Sequence, residues 1–291
     1  MAARGAGKAG GASTGGRAGS CWPHPAAIVL LMTLLPAAPA IADAGGVTSA
    51  SAQAVPDTVM QLPLVDGGRL SALYCAPAHP RAAIVMLSGG AGDIGLQPDG
   101  SLRHGDNFVV RTRALWTARG YAIAIPDTVD HADLRGRRST RDYASRIQAL
   151  VEAVHERAGV PVFVLGTSQG SIGAMNLAAR AQAGTLAGLV LTESVSRPGR
   201  SHETVFDADP GDVRVPALVV ANRDDACDVA PPGDAARIAA ALRASPGVRV
   251  LEVSGGRSAS ARACDPLTPH GYYGIEEPVV QDIDAWMRAQ P

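Results

Sequence analysis

The sequence predicts an α/β fold built on a doubly wound, mostly parallel β-sheet. Apolar runs suited to buried parallel strands recur along the chain, and segments of helical periodicity separate them. An antiparallel hairpin precedes these units, because two short strand-like segments flank the turn at residues 66–68. In an open sheet of this kind, the functional site is expected at the carboxyl ends of the strands.

Each strand is predicted from a short run of β-branched and other apolar residues. The hairpin is expected at residues 58–64 and 69–74. The parallel strands, all expected to be buried, are predicted at residues 83–87, 121–125, 162–165, 188–191, 217–220 and 248–253.

Helical periodicity is clearest at residues 141–157, where Ser139 and Asp142 suggest a capping box and Gly159 a stop. A second helix is predicted at residues 171–183. A final helix passes through Ile283, Trp286 and Met287.

The first 42 residues have the pattern of a cleavable signal peptide. Three basic residues and no acidic ones precede a short apolar run at residues 26–35, and small residues then end at Ala42. The apolar run is too short to span a bilayer comfortably. An uncleaved anchor or a start codon placed too early are the alternatives.

We therefore expect an exported protein, periplasmic or secreted, with no stable membrane insertion after cleavage. The domain boundaries predicted are 1–42 for the signal peptide, 43–57 for a flexible leader and 58–291 for one α/β domain. Cleavage would leave a mildly acidic chain, which argues against nucleic acid as a partner. The sequence indicates no oligomeric state.

Lysine chemistry is excluded from the mature chain, because Lys8 is the only lysine in the sequence. Schiff-base catalysis, Ser-Lys dyads and a P-loop lysine all require that side chain.

We expect the protein to bind no cofactor and no metal.

Ser168 is the candidate nucleophile. It lies in Gly166-Thr167-Ser168-Gln169-Gly170, directly between a predicted strand and a predicted helix. This is the context of a G-x-S-x-G nucleophile elbow, in which the serine occupies a strained turn at the carboxyl edge of the sheet. A second match at residues 11–15 has neither strand nor helix beside it, and we discard it.

This order of elements, a hairpin followed by a strand, a G-x-S-x-G turn and a helix, resembles the α/β-hydrolase superfamily. The resemblance extends from about residue 58 to the end of the chain and is closest to dienelactone-hydrolase and prolyl-peptidase-like cores. It implies an α/β-hydrolase fold with a triad in the chain order serine, acid, histidine. Since residues 192–214 are the only room for a cap between the sixth and seventh strands, the cap is expected to be minimal.

The resemblance places the acid just after the seventh strand and the histidine after the eighth. Asp225 is the preferred acid, with Asp224 next, and Asp228 and Glu193 are the remaining alternatives. His270 is the one histidine in the expected loop before the last helix.

The oxyanion hole needs two backbone donors. The resemblance assigns one to the amide of Gln169 and the other to the loop after the third strand, where Gly90 is preferred and Ala91 is the alternative. Ser88 occupies a position where the family commonly has histidine.

The same loop carries a G-x-G-x-x-G pattern at residues 90–95, the fingerprint of dinucleotide-binding folds. A helix should open at that motif, but Pro98 and Gly100 follow it, and the next helix is expected only from Asn107. Asp127, the candidate ribose-binding acid, is too far along the chain. We reject the dinucleotide interpretation.

Three cysteines remain after signal cleavage. Cys227 and Cys264 lie near the proposed acid and histidine, and export would allow them to form a disulfide that holds both loops in register. This arrangement resembles a group of exported bacterial α/β-hydrolases without an assigned substrate. Cys75 is then expected to be a buried free thiol; three free thiols are the alternative.

These observations predict an exported serine hydrolase that cleaves a small-molecule carboxylic ester. Amide, peptide, thioester and lactone bonds are alternatives on the same triad. A non-catalytic binding protein with a hydrolase fold is the alternative of another class. The sequence specifies neither the acyl group nor the leaving group.

Overall fold

The computed structural model describes residues 55–65 and 67–291. The predicted signal peptide, most of the predicted leader and the hairpin residue Asp66 lie outside these described residues. The statements about residues 1–42 and 43–54 therefore stay predictions.

One mixed β-sheet forms the centre of the described chain, with the strand order β1-β2-β4-β3-β5-β6-β7-β8. β1 pairs antiparallel with β2 and β2 antiparallel with β4, whereas the remaining neighbours are parallel. This confirms the predicted doubly wound sheet with an N-terminal hairpin. The strands are β1 Thr58–Pro63, β2 Arg69–Cys75, β3 Ala82–Leu87, β4 Tyr121–Pro126, β5 Val162–Thr167, β6 Gly188–Thr192, β7 Ala217–Asn222 and β8 Val248–Val253.

Helices cover both faces of the sheet. Apolar side chains of α3, α4 and α5 share one buried cluster with one face of the strands, and those of α1, α2 and α6 share another with the opposite face. The helices are α1 Phe108–Arg111, α2 Arg113–Ala118, α3 Arg141–Ala158, α4 Gly170–Arg180, α5 Ala235–Ala241 and α6 Glu276–Arg288. The core strands β3 to β7 are thus buried from both sides.

Two details of the helices differ from the sequence prediction. The N-cap of α3 is Thr140 rather than Ser139, and its hydroxyl accepts a hydrogen bond from the Tyr143 amide. α4 ends at Arg180, because Ala181 is already extended. Both are shifts of an element end, where several neighbouring residues suit the same role.

β8 is not the buried strand that the sequence predicted. Among the described strands it lies at the edge of the sheet and pairs with β7 alone, and Val248 and Val250 remain 36% and 38% exposed. A run of valines and leucine predicts a strand in either position, and only the strand order decides its burial.

The segment between β6 and β7 forms the predicted minimal cap. All of residues 193–216 is described, and this segment contains two 3₁₀ turns, Val205–Ala208 and Pro210–Asp212, but no α-helix. None of the helices in the described part of the chain is long and apolar enough to cross a bilayer.

Cys75 at the end of β2 is a buried free thiol, 2% exposed. Burial, together with the nearby Asp57 carboxylate, raises the pKa of Cys75 to about 12. Since the thiolate is the reactive form, we predict that native protein at pH 8 resists iodoacetamide at Cys75 and that unfolded protein does not. Mass spectrometry of the Cys75 peptide in both states measures this. Rapid alkylation of the native protein would contradict it.

Candidate active site

The turn that carries Ser168 is held by close packing between β3, β5 and α4. A Cβ atom at Gly170 would overlap the Leu87 carbonyl of β3, and one at Gly166 would overlap the Gly170 carbonyl. Ser168 itself has a left-handed backbone, with φ of 52°. Its amide donates to the Thr192 carbonyl at 2.9 Å. The serine side chain therefore projects from the sheet edge in a conformation that few non-glycine residues adopt.

His270 lies in a 3₁₀ turn, Pro269–Gly271, after β8. The residue is only 3% exposed. Thr268 caps this turn, because its hydroxyl accepts from the His270 amide at 3.1 Å. A Cβ at Gly271 would overlap the Pro266 carbonyl, so the loop packs tightly behind the ring. The His270 Nε2 atom is 2.8 Å from Ser168 Oγ.

Asp225 occupies the turn after β7 and faces the other side of the imidazole. Its Oδ2 is 2.7 Å from His270 Nδ1, and its Oδ1 accepts from the Cys227 amide at 2.8 Å. Asn222 joins the two loops: its side-chain amide donates to the Pro269 and Gly255 carbonyls, at 3.0 Å each. The sequence does not reveal this role of Asn222, since nothing in it indicates which carbonyls the side chain reaches.

The alternative acids have different surroundings. Asp224 is exposed and accepts from the Gly255 amide at 2.5 Å, and Asp228 is also exposed. Glu193 is buried close to Asp225, and its Oε1 accepts from the Asn222 amide at 2.8 Å. Of these acids, only Asp225 is hydrogen-bonded to His270 in the described residues.

The predicted oxyanion donors surround the same serine. Gln169 follows Ser168 directly, and the Gly89 backbone approaches so closely that a Cβ there would be 3.0 Å from Ser168 Cβ. In the described residues, none of the backbone amides of Gln169, Gly90 and Ala91 donates a hydrogen bond to another group. Three free donors therefore lie in the two segments where such a hole is built.

Arg138 supports this loop in a way that the sequence analysis missed. Its side chain is fully buried, and Nη2 donates to the Gly90 and Ser88 carbonyls, at 3.1 and 3.4 Å. Burial lowers the pKa of Arg138, against the opposing effect of Tyr143 and Glu203. The Ser88 hydroxyl closes the loop by donating to the Gly92 carbonyl at 3.0 Å. Arg135, Arg137 and Arg138 lie close together in the sequence, a pattern typical of a solvent-exposed rim. Only the fold shows that Arg138 is buried.

The glycine-rich segment at residues 90–95, which matches the rejected dinucleotide motif, is held in place by Asp127. Asp127, after β4, accepts hydrogen bonds from the amides of Ile94, Leu96 and Thr128 at 2.7–2.9 Å. Its carboxylate therefore fixes the glycine-rich segment instead of facing a ribose. The next helix begins at Phe108, one residue after the predicted start, and Asn107 is its N-cap.

Cys227 and Cys264 form a disulfide with Cα atoms 4.7 Å apart. This is the pairing that the sequence analysis expects. The bridge joins the loop of Asp225 to the segment that leads to His270. Asn222 and the bridge are thus two separate links between these loops.

Two adjoining cavities open onto Ser168. One, of about 370 Å³, is bordered by His270 and residues of the loop after β3. The other, of about 530 Å³, is bordered by Gln169 and by Cys264 of the disulfide. Arg135 and Arg262 border both. A third cavity of about 470 Å³ is lined by apolar residues such as Leu70, Leu134 and Ile147 and does not reach Ser168. The hydrogen-bonded group of Ser168, His270 and Asp225, not the size or shape of a cavity, marks the candidate site.

We assign no metal to the described residues. Three groups of potential ligands lie close together, but one contains the disulfide and another is Glu193, Asp225 and His270. In the third, Asp93, Asp127 and His131, both oxygens of Asp127 already accept backbone hydrogen bonds.

No protein-family model matches this sequence, and no curated protein matches it either. Solved structures do match its fold. Est1E from Butyrivibrio proteoclasticus is 14% identical, with a TM-score of 0.54 over 79% of this chain and 97% of that one. Dienelactone hydrolase from Anabaena variabilis is 15% identical, with a TM-score of 0.54 over 81% of this chain and 99% of that one.

Dipeptidyl peptidase 4 from Porphyromonas gingivalis gives a TM-score of 0.57 at 13% identity, over 82% of this chain. The match spans only 36% of that peptidase. These neighbours are α/β-hydrolases. Together with the sheet order, they confirm that this chain has the α/β-hydrolase fold.

The disulfide closes a long loop, which leads to a prediction about stability. In the chain-entropy model, a separation of 37 residues contributes about 4 kcal/mol to the free energy of unfolding. We predict that reductant lowers the melting temperature of the wild type. The double variant C227A/C264A should melt at about the temperature of the reduced wild type, and reductant should not change it further. The variant C75A is the matched control and keeps the sensitivity. An unchanged melting temperature on reduction would contradict the prediction.

Proposed function

We propose that this chain is a serine hydrolase that cleaves carboxylic esters through an acyl-enzyme intermediate. One observation carries the proposal: Ser168, His270 and Asp225 form a hydrogen-bonded series, with distances of 2.8 and 2.7 Å, at the carboxyl edge of the sheet. A serine hydroxyl is a weak nucleophile until a neighbouring base takes its proton, and this series supplies the base.

In the proposed first half of the reaction, Ser168 Oγ attacks the ester carbonyl while its proton passes to His270 Nε2. Asp225 holds His270 in the tautomer with the Nδ1 proton and stabilises the imidazolium that forms. The negative charge on the substrate oxygen is bound by the Gln169 amide and by the amide of Gly90 or Ala91. Each donor of this kind typically contributes about 10²–10³ in rate.

Collapse of the tetrahedral intermediate releases the alcohol, which takes its proton from His270. The acyl group stays on Ser168. In the second half, His270 removes a proton from water, and water attacks the acyl-enzyme by the same path. The product acid leaves, and Ser168 regains its proton.

An ester is the favoured substrate class because the neighbours matched over almost their full lengths include a dienelactone hydrolase and the esterase domain of a Rhodothermus marinus protein. The peptidase neighbour contains much more chain than this protein has. Amide, thioester and lactone hydrolysis would use the same triad, and a panel of substrates with a common acyl group separates them. The minimal cap and two open cavities suit a small-molecule ester.

We also propose export across the cytoplasmic membrane. The pattern of a basic segment, a short apolar run and small residues at positions 1–42 supports this proposal. The disulfide is consistent with an oxidising compartment.

Ser168 should carry the covalent intermediate. We predict that a fluorophosphonate labels the peptide containing Ser168, because only a serine activated by a base reacts readily. Mass spectrometry locates the adduct. S168A should remove the label and lower kcat by at least about 10³-fold. Active protein labelled at another serine, or not labelled at all, would refute the assignment.

Asp225, rather than Asp224, should orient His270. We predict that D225N lowers kcat by about 10⁴-fold, because an amide at this position favours the wrong imidazole tautomer. D224N is the matched control, since the neighbouring carboxylate is exposed and bonded to a backbone amide. Its kcat should stay within an order of magnitude of the wild type. A larger loss in D224N than in D225N would move the assignment.

A further inference from the structure

A second buried carboxyl group lies behind Asp225. Glu193 directly follows β6 and is 1% exposed. One polar side-chain atom from each of Glu193, Asp225 and His270 can be chosen so that the three atoms lie within 4.8 Å of one another. Two carboxylates at this separation, away from water, repel each other strongly, so at most one of them is readily ionised.

The backbone holds Glu193 firmly in this position. Its φ is 43°, in the left-handed region, and its amide donates to the Val220 carbonyl at 3.2 Å. Its Oε1 accepts from the Asn222 amide at 2.8 Å. A non-glycine residue keeps such a conformation only where its surroundings over-determine it.

The hydrogen bonds of the two carboxyl groups leave one atom without a donor. Asp225 Oδ1 accepts from the Cys227 amide, and Oδ2 faces His270 Nδ1. Glu193 Oε2 is buried, and no donor among the described residues bonds to it. An ionised oxygen in this place would lose its hydration without compensation. A protonated one brings its own donor, and the Asp225 carboxylate is the acceptor beside it.

We propose that Glu193 is a positioning residue of the triad, which stays protonated and donates a hydrogen bond to the Asp225 carboxylate. This bond keeps Asp225 turned toward His270 without adding a second negative charge. The inference rests on the proposed function, because it concerns the same serine, histidine and aspartate.

The direction in which the surroundings shift the pKa of Glu193 agrees with this inference. Burial and the Asp225 carboxylate raise the pKa of Glu193 well above its usual range, and the hydrogen bond that Glu193 accepts from the Asn222 backbone amide opposes this effect. The titratable groups facing Glu193 are Asp225, His270 and Tyr272; burial and Glu193 raise the pKa of Tyr272 as well.

The raised pKa makes stability depend on pH in a defined direction. Above the unfolded pKa of glutamate, about 4.3, the unfolded chain releases this proton and the native protein keeps it. The native state then binds more protons than the unfolded state. The contribution of Glu193 to stability is therefore complete below this pH and decreases as the pH rises toward the folded pKa.

The kinetic test compares two replacements of similar size. E193Q keeps a neutral donor, whereas E193M keeps the volume without the donor. We expect kcat of E193Q to stay near the wild type and kcat of E193M to fall by at least about tenfold, the effect of losing one hydrogen bond to a charged group. KM should change little, because Glu193 borders neither cavity at Ser168.

A spectroscopic test does not require turnover. In an S168A background, the proton between His270 Nδ1 and Asp225 should give a far-downfield NMR resonance. We expect E193Q to preserve this resonance and E193M to shift or broaden it. Failure of the proposed function would appear as absent labelling and hydrolysis in the wild type, whereas failure of this inference would leave the resonance unchanged in E193M.

A thermal test uses Glu203 as the matched control. The Glu203 carboxylate accepts from the amides of Gly136, Arg138 and Ser139, so E203Q should lower the melting temperature. For E193Q, the melting temperature minus that of the wild type should instead increase as the pH rises from about 5 to 8.

Two kinetic results would overturn the inference, because each requires an ionised Glu193. In one, E193Q loses as much activity as E193M. In the other, D225N keeps activity that E193Q abolishes.

Discussion

The contact on which the candidate site depends is the close approach of α4 to β3. Gly170 has no room for a side chain beside the Leu87 carbonyl, and Gly166 has none beside Gly170. This packing forces the intervening turn to be sharp, and Ser168 takes up the left-handed conformation at its tip. A larger residue at either glycine would push helix and strand apart and move the serine away from His270. The position of Ser168 thus follows from how the helix packs against the sheet, whatever the chemistry of its side chain.

Hydrogen bonds connect the ends of neighbouring strands along the carboxyl edge of the sheet. The Ser168 amide donates to Thr192, the Glu193 amide to Val220, and the Asn222 amide to the Glu193 side chain. Each bond joins the end of one parallel strand to the next. The same edge therefore carries serine, buried glutamate and aspartate in sequence, and the relative positions of these groups follow from the register of β5, β6 and β7.

Buried charged groups around the site are bound mainly to the backbone. Asp127 fixes the glycine-rich loop, Arg138 bonds to two of its carbonyls, and Glu203 holds the segment that leads into α3. Such groups are costly to bury unless their partners are well placed, and removal of a partner is costly as well. Asp127 and Arg138 thus bind the glycine-rich loop after β3 at several points although this loop has no regular secondary structure. Such anchoring suits a site that must be preorganised.

The sequence by itself determined the order of the elements and the type of turn at Ser168. Local patterns are sufficient there, because strand, glycine-flanked turn and helix are adjacent in the chain. It also limited the histidine to His270 by its place before the last helix. The tertiary structure decided which acid lies against that histidine, since Asp224 and Asp225 differ only in the direction their side chains leave the same turn.

Tertiary structure also decided the roles of residues whose partners are remote in sequence. Asn222 reaches the loop of His270, Arg138 reaches the glycine-rich loop after β3, and Glu193 lies beside Asp225. The exposure of β8 belongs to the same group, because a valine-rich strand is buried or exposed according to its place in the strand order. The physical reason is common to all of them: sequence patterns report neighbours along the chain, whereas these contacts depend on strand order and register, which only the assembled sheet defines.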